Sequence, residues 1–161
     1  MATLTAREID PLALEHQVCF ALATTNRAVL AVYRPLLEPL GLTHPQYLVM
    51  LALWDHRKAA HESPLSVKQI AAALQMESAT LSPMLKRLEA LGLITRAKNA
   101  TDERATDITL TERGIALRER ALEIPPAVVA RLGVELSELE NLHQVLTRIN
   151  AAAVAAGALQ R

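Results

Sequence analysis

A chain of 161 residues has room for one domain, or for a core domain with dimerisation arms. Hydrophobic residues make up 51% of it, mostly Ala and Leu with four aromatic side chains, which disfavours a β-sandwich and points to a mainly α fold. The single cysteine excludes an internal disulfide framework, and neither a membrane-length apolar run nor a signal-like start is visible, so a soluble cytoplasmic protein with no membrane partner is expected.

Asp10-Pro11 predicts a helix start, with Asp10 as cap and Pro11 at the first helical position. From there a long helix should run to about Leu37, placing Leu14, Val18, Ala21, Leu22, Val29 and Val32 on or near one face. Pro35 should kink it, and Pro39-Leu40-Gly41 should end it. Thr43 caps a second helix, Pro45 to about Asp55, which is apolar almost all round and is expected in the central core. Residues 56–65 read as a polar loop.

Ser66-Val67-Lys68-Gln69 has the pattern of a capping box, with Ser at the cap and Gln three positions on. The helix it opens directs Val67, Ile70, Ala71 and Leu74 inward, and Gln75-Met76-Glu77 makes a turn into the next helix. That helix is expected to open at Ser78 as cap and to stop near Gly92, the residue just past its end. Leu81, Met84, Leu85, Leu88 and Leu91 form its inward stripe; Ser78, Ser82, Lys86 and Glu89 form the opposite one. Pro83 is an anomaly inside it and predicts a local kink.

Leu93 to Lys98 and Ala105 to Leu110 read as two short strands, with Asn99 to Arg104 as the tip between them. Thr111 caps a helix reaching about Glu123, where Ile124-Pro125-Pro126 breaks or bends it. A last helix from about Ser137 carries Leu139, Leu142, Leu146, Ile149 and Ala153 in a 3-4 seam. Helix, turn, helix and basic hairpin form a winged helix-turn-helix, a unit that presents side chains to two grooves of a DNA duplex.

Net charge is zero overall, yet residues 66–104 hold six Lys/Arg (Lys68, Lys86, Arg87, Arg96, Lys98, Arg104) against four Asp/Glu. The remaining segments are each one negative. A two-fold dimer doubles this local excess, and the apolar stripes of both terminal helices supply surfaces for such a dimer. The expected organisation is one domain, with 43–111 as the winged DNA-binding unit and 10–40 and 112–158 as dimerisation helices.

Leu42-Thr43-His44-Pro45-Gln46-Tyr47, Ser66-Val67-Lys68-Gln69-Ile70, Ser78 to Glu89, Gly92-Leu93-Ile94-Thr95-Arg96, Asp102-Glu103-Arg104 and Leu110-Thr111-Glu112-Arg113-Gly114 together resemble the MarR family of bacterial transcriptional regulators. The resemblance spans nearly the whole chain. It implies a winged-helix homodimer that represses promoters and is released by a small-molecule or oxidative signal. Gln17 to Leu22, Arg27-Ala28-Val29, Tyr33 to Leu37 and Pro45 to Leu48 are similar to the organic-hydroperoxide-sensing OhrR branch of that family.

That second resemblance implies that Cys19 is oxidised by an organic hydroperoxide to a sulfenic acid and then capped by a small thiol, because no second cysteine is present. Tyr33 matches one hydroxyl partner of the cysteine. Two usual tyrosines are replaced, by Ala23 and by His44, and His44 is the candidate substitute donor.

On the DNA side, Ser78, Thr80 and Ser82 are expected at phosphates or base edges, with Lys86 and Arg87 neutralising backbone charge. Ser66, Lys68 and Gln69 open the supporting helix, where N–H groups and a cation can grip a phosphate. Arg96 and Lys98 flank the wing. Arg104 at its tip suits a narrow minor groove, with Asp102 aiming its guanidinium. The expected partner is double-stranded DNA bearing a pseudo-palindromic operator.

An alternative keeps the repressor but makes Cys19 a small structural hydrophobe, with release by an aromatic acid or other small ligand. A further alternative is a thiol peroxidase, which would need a cation poised to activate Cys19. The five glycines make no phosphate loop and the five histidines show no metal-ligand spacing, so neither a metal nor a cofactor is expected and the chain reads as a non-enzyme.

Overall fold

The computed structural model describes residues 10–59 and 63–158. Seven helices and a small antiparallel sheet are described: α1 Val18–Leu37, α2 His44–Lys58, β1 Leu65–Ser66, α3 Val67–Leu74, α4 Ser78–Ala90, β2 Ile94–Lys98, β3 Thr106–Leu110, α5 Glu112–Ala121, α6 Ile124–Leu132 and α7 Leu136–Ala155. The sheet order is β1-β3-β2, with Leu65 opposite Ile108 and Arg96 also opposite Ile108 on the other side. The mainly helical fold with a β-hairpin wing is as expected.

The core forms where α2, α3, α4 and the sheet meet. Val49 and Met50 of α2, Ile70 of α3, Leu81, Leu85 and Leu88 of α4, Ile94 of β2 and Ile108 of β3 are fully buried. Trp54 belongs to the same core, and its indole N–H donates to the Gly114 carbonyl at 2.9 Å, tying α2 to the start of α5. Two capping boxes fix the helix starts around this core. Thr43 and Gln46 exchange bonds at α2, and Ser66 and Gln69 do so at α3, each pair satisfying two end N–H groups.

Several boundaries differ from the sequence reading. The first helix does not begin at Asp10-Pro11. Asp10 instead closes a tight turn, its carboxylate accepting the Leu12 N–H, and a 3-10 turn follows at Leu14–His16. Gln17 is extended, and its side-chain amide donates back to the Pro11 and Ala13 carbonyls, so α1 starts only at Val18. Pro35 lies inside α1, and a 3-10 turn then leads to Gly41, whose left-handed φ of 71° ends the unit.

The expected loop 56–65 is shorter, because α2 runs to Lys58 and Leu65–Ser66 pairs with β3; residues 60–62 lie outside the described residues. Glu77, not Ser78, occupies the cap position of α4, leaving Ser78 as its first helical residue. Ile124-Pro125-Pro126 opens a new helix, α6, because prolines in a first turn forfeit no helical hydrogen bond. The helix after Thr111 accordingly ends at Ala121, and α7 opens at Leu136.

In contrast to the winged unit, α7 buries none of its residues. Leu136, Leu142, Ile149 and Val154 stand exposed on it, as do Val18, Phe20 and Leu22 at the start of α1. Among the described residues no helix is long and apolar enough to cross a membrane.

Candidate nucleic-acid interface and cysteine site

Burial sorts α4 into two faces. Leu81, Leu85 and Leu88 are buried and Met84 and Leu91 half-buried, so the inward stripe is the one expected. Ser78, Thr80, Ser82, Lys86 and Arg87 are all exposed. Pro83 is exposed too, and α4 continues through it unbroken.

Glu89 leaves the exposed stripe. Its carboxylate accepts from the Arg96 side chain at 2.8 Å (Nε) and 2.6 Å (Nη2), and from the Arg96 backbone N–H at 3.3 Å. Arg96 hydrogen bonding, above all, holds the Glu89 carboxyl below its ordinary range. Arg96, expected at the DNA, ties α4 to β2 and stays partly exposed. Lys98, one turn of the pleat further on, is exposed.

The wing tip is organised by Asn99, a residue the sequence reading passed over. Its carbonyl oxygen accepts from the Thr101 N–H, the Thr101 hydroxyl and the Asp102 N–H, while its amide donates to Asp107 at 2.9 Å. Asp102 accepts the backbone N–H of Arg104 at 3.0 Å. Asp102 therefore shapes the backbone beneath Arg104; the expected bond to the guanidinium is replaced by this local turn, which Asp side chains readily form. Arg104 itself is exposed.

At the start of α3, Lys68 is exposed, and the capping box engages the N–H groups of Ser66 and Gln69. Those two donors are thus spent inside the chain; the Ser66 hydroxyl hydrogen, the Gln69 amide hydrogens, and the backbone N–H and ammonium of Lys68 are donors that could face a phosphate.

Cys19 is exposed and is the second residue of α1. The later helix start puts it in the first turn, near the end N–H groups and the positive end of the helix dipole, whereas a start at Asp10-Pro11 would leave it beyond that turn. Tyr33 and His44 do come together. Their rings meet edge-on with centroids 4.9 Å apart, and Tyr47 completes the cluster at 6.1 Å from Tyr33 and 6.3 Å from His44. Burial raises the pKa of both phenols and lowers that of His44, so at neutral pH the cluster offers two O–H groups and an uncharged imidazole.

Cys19 does not join that cluster within one chain. Tyr33 is fourteen positions along the same helix, roughly 21 Å at about 1.5 Å per residue.

A capped α3, a turn, an exposed face on α4 and a hairpin carrying exposed cations define a winged-helix DNA-binding protein. Residues 31–120 match the family model described as transcriptional regulator SarA/Rot. The chain is 42% identical over 138 residues to the organic hydroperoxide resistance transcriptional regulator of Bacillus subtilis (strain 168), covering 86% of this chain and 88% of that one. The structure of reduced AbfR bound to DNA superposes with a TM-score of 0.75 at 32% identity, covering 89% of this chain and 94% of that chain. A MarR-family regulator from Rhodococcus sp. RHA1 shares the fold at a TM-score of 0.72 and 22% identity, over 86% of this chain and 95% of that one.

The chain belongs to the MarR family of transcriptional regulators. It is a DNA-binding regulator and not an enzyme.

Proposed function

We propose that the chain is a homodimeric repressor that binds a pseudo-palindromic operator when reduced and leaves it when an organic hydroperoxide oxidises Cys19. The observation that carries this reading is the place of Cys19: exposed, in the first turn of α1, within an apolar surface that a single chain leaves open. Val18 is 64% exposed and Phe20 41%. A chemical change at the sulfur alters the surface that a second copy would cover.

Dimerisation also gives Cys19 its partners. Cys19 and Tyr33 lie nearly four helical turns apart and thus close to one face of α1. Antiparallel packing of two α1 helices about an axis near Asn26 would bring each Cys19 against Tyr33 of the partner subunit. The protonated phenol and neutral His44 there are donors for a thiolate or a sulfenate.

In the proposed step the thiolate attacks one peroxide oxygen, the O–O bond breaks, and the alkoxide leaves and is protonated to the alcohol. Sulfur is oxidised to a sulfenic acid as the peroxide is reduced. A small thiol then condenses with the sulfenic acid, forming a mixed disulfide and releasing water. The added bulk separates packed helices and changes the spacing of the two α4 helices. A shift of about 2.8 kcal/mol between the two states changes occupancy a hundredfold.

On the DNA, Ser78, Thr80 and Ser82 face base edges and phosphates, Lys86, Arg87, Lys68 and Lys98 neutralise backbone charge, and Arg104 enters the minor groove. The test is a mobility shift on a duplex that the reduced protein selects from a random pool. Wild type should release it on addition of cumene hydroperoxide, with the mass of a sulfenic acid or mixed disulfide on Cys19, and Cys19→Ser should bind it and ignore the peroxide. Release of the Cys19→Ser protein by peroxide would overturn the assignment of the sensor.

One observation favours a second reading, release by a small aromatic acid. A cavity of about 210 Å³ lies between α2 and the α5–α6 junction, lined by Tyr47, Leu51, Trp54 and Leu122 together with Lys58, Arg118 and Asp55. Apolar walls with two cations against one carboxylate suit an aromatic acid. Release of both wild type and Cys19→Ser by such an acid, with neither responding to peroxide, would establish this reading in place of the first.

A further inference from the structure

We propose that Asn150 of α7 is a positioning residue for DNA binding: through Gln75 it holds the turn that aims the recognition helix α4. The inference needs only that the chain binds DNA; it does not depend on Cys19.

Gln75 sits at the end of α3 with φ 52° and ψ 43°, and it is the one non-glycine residue with positive φ among the described residues. The turn around it is tightly bonded, with the Met76 N–H donating to the Ala71 carbonyl at 2.9 Å and the Gln75 N–H to the Ala72 carbonyl at 3.2 Å. Helices that end this way usually carry glycine or asparagine at that position, because a longer side chain is sterically penalised there. A glutamine at this position breaks a local rule, and such breaches persist where the side chain has other work.

That work is visible. The Gln75 amide donates to the Asn150 side-chain oxygen at 3.0 Å, and the Asn150 amide donates to the Gln75 side-chain oxygen at 3.0 Å. Two reciprocal amide bonds fix orientation as well as distance. They join positions seventy-five residues apart in sequence. α7 half-buries Leu139, Val145 and Leu146 but fully buries none of its residues, and this polar clasp is the side-chain hydrogen bond that ties it to the turn.

The consequence falls on α4. Its first residue, Ser78, lies three positions after Gln75, and the exposed Ser78, Thr80 and Ser82 all lie in the first two turns. Freedom in the backbone at Gln75 therefore changes where those side chains sit relative to a groove. Both amides are exposed, so in water the pair adds little to global stability. Its effect is on orientation, which binding to a specific site reads and binding to any phosphate backbone does not.

The experiment compares Asn150→Ala, Gln75→Gly, the double variant, and the exchange Gln75→Asn with Asn150→Gln, all in the full chain. Gln75→Gly relieves the backbone cost, so it keeps the turn while removing the clasp. The probes are a duplex selected from a random pool by the wild-type protein and a duplex of unrelated sequence.

Each single variant should lose affinity for the selected duplex on the order of fivefold, a coupling at the low end of the usual range, with unrelated-sequence binding unchanged, Tm unchanged in Asn150→Ala and not lowered in Gln75→Gly. The double variant should lose no more than the singles, and the exchange should recover most of the loss. Amide hydrogens of Gln75 to Thr80 should exchange faster in Asn150→Ala. Unchanged affinity in Asn150→Ala, additive losses in the double variant, or equal losses on both duplexes would each overturn the proposal.

Discussion

The carboxylate of Glu89 in α4 grips the side chain of Arg96 in β2 at 2.8 and 2.6 Å, locking the recognition helix to the base of the wing. The two elements proposed to face DNA are thereby tied to each other. The Arg96 hydrogen bond lowers the Glu89 pKa below its ordinary value, so the carboxylate stays ionised further into acid. A carboxyl depressed in the folded state contributes stability above its unfolded pKa and loses it as pH falls through the folded value. Glu89→Gln should weaken binding to a selected operator duplex several-fold and flatten the acid side of the pH–Tm curve. Equal operator affinity in the variant and wild type would remove the strut from the account of binding.

Arg104 and Asp102 divide their work at the wing tip. Asp102 accepts the Arg104 backbone N–H, so the arginine side chain is left exposed above a fixed turn. Arg104→Ala should cost about 1–3 kcal/mol in operator binding, the size of one groove contact, and should reduce the salt dependence of binding. Asp102→Ala should cause a smaller loss through a looser turn, with the salt slope unchanged. A change in salt slope for Asp102→Ala as large as for Arg104→Ala would contradict this division.

Gly114 allows α5 to lie against the strand end. A β-carbon there would collide with the Leu93 carbonyl oxygen and would sit 3.2 Å from the Leu110 side chain. The first contact is with backbone, so relief requires moving the hairpin. Its own carbonyl also receives the Trp54 indole N–H. Gly114→Ala should destabilise the fold by about 1–3 kcal/mol, the usual cost of overpacking, read as a lower midpoint in urea. An unchanged midpoint would mean that the hairpin yields freely.

What the sequence made legible was local. The Ser66–Gln69 box, the leucines of α4 and the two wing strands follow from spacing and capping chemistry within a few residues, and all three are found. The start of α1 misled because Asp10-Pro11 is a valid start signal that Gln17 defeats by bonding the Pro11 and Ala13 carbonyls. Strand β1, at two residues, is too short to show a period. The strut Glu89–Arg96 and the clasp Gln75–Asn150 depend on where distant backbones come to rest, which residue type alone does not encode. Pro125-Pro126 could have been read better, since prolines favour a helix's first turn as surely as they break its middle.

His44 gives the fold a pH dependence of its own. Burial beside Tyr33 and Tyr47 lowers its pKa from the ordinary 6.5, so the folded chain resists a proton that the unfolded chain accepts. Between the lowered folded value and 6.5 the unfolded state binds more protons, and stability therefore rises with pH across that window. It is fully present above 6.5 and is lost as pH falls through the folded value. The His44 ring should titrate by NMR with a midpoint below 6.5, and His44→Asn should lose less Tm than wild type between pH 7.5 and pH 5. A midpoint at or above 6.5, or parallel pH–Tm curves, would show that the aromatic cluster does not exclude the charged imidazole.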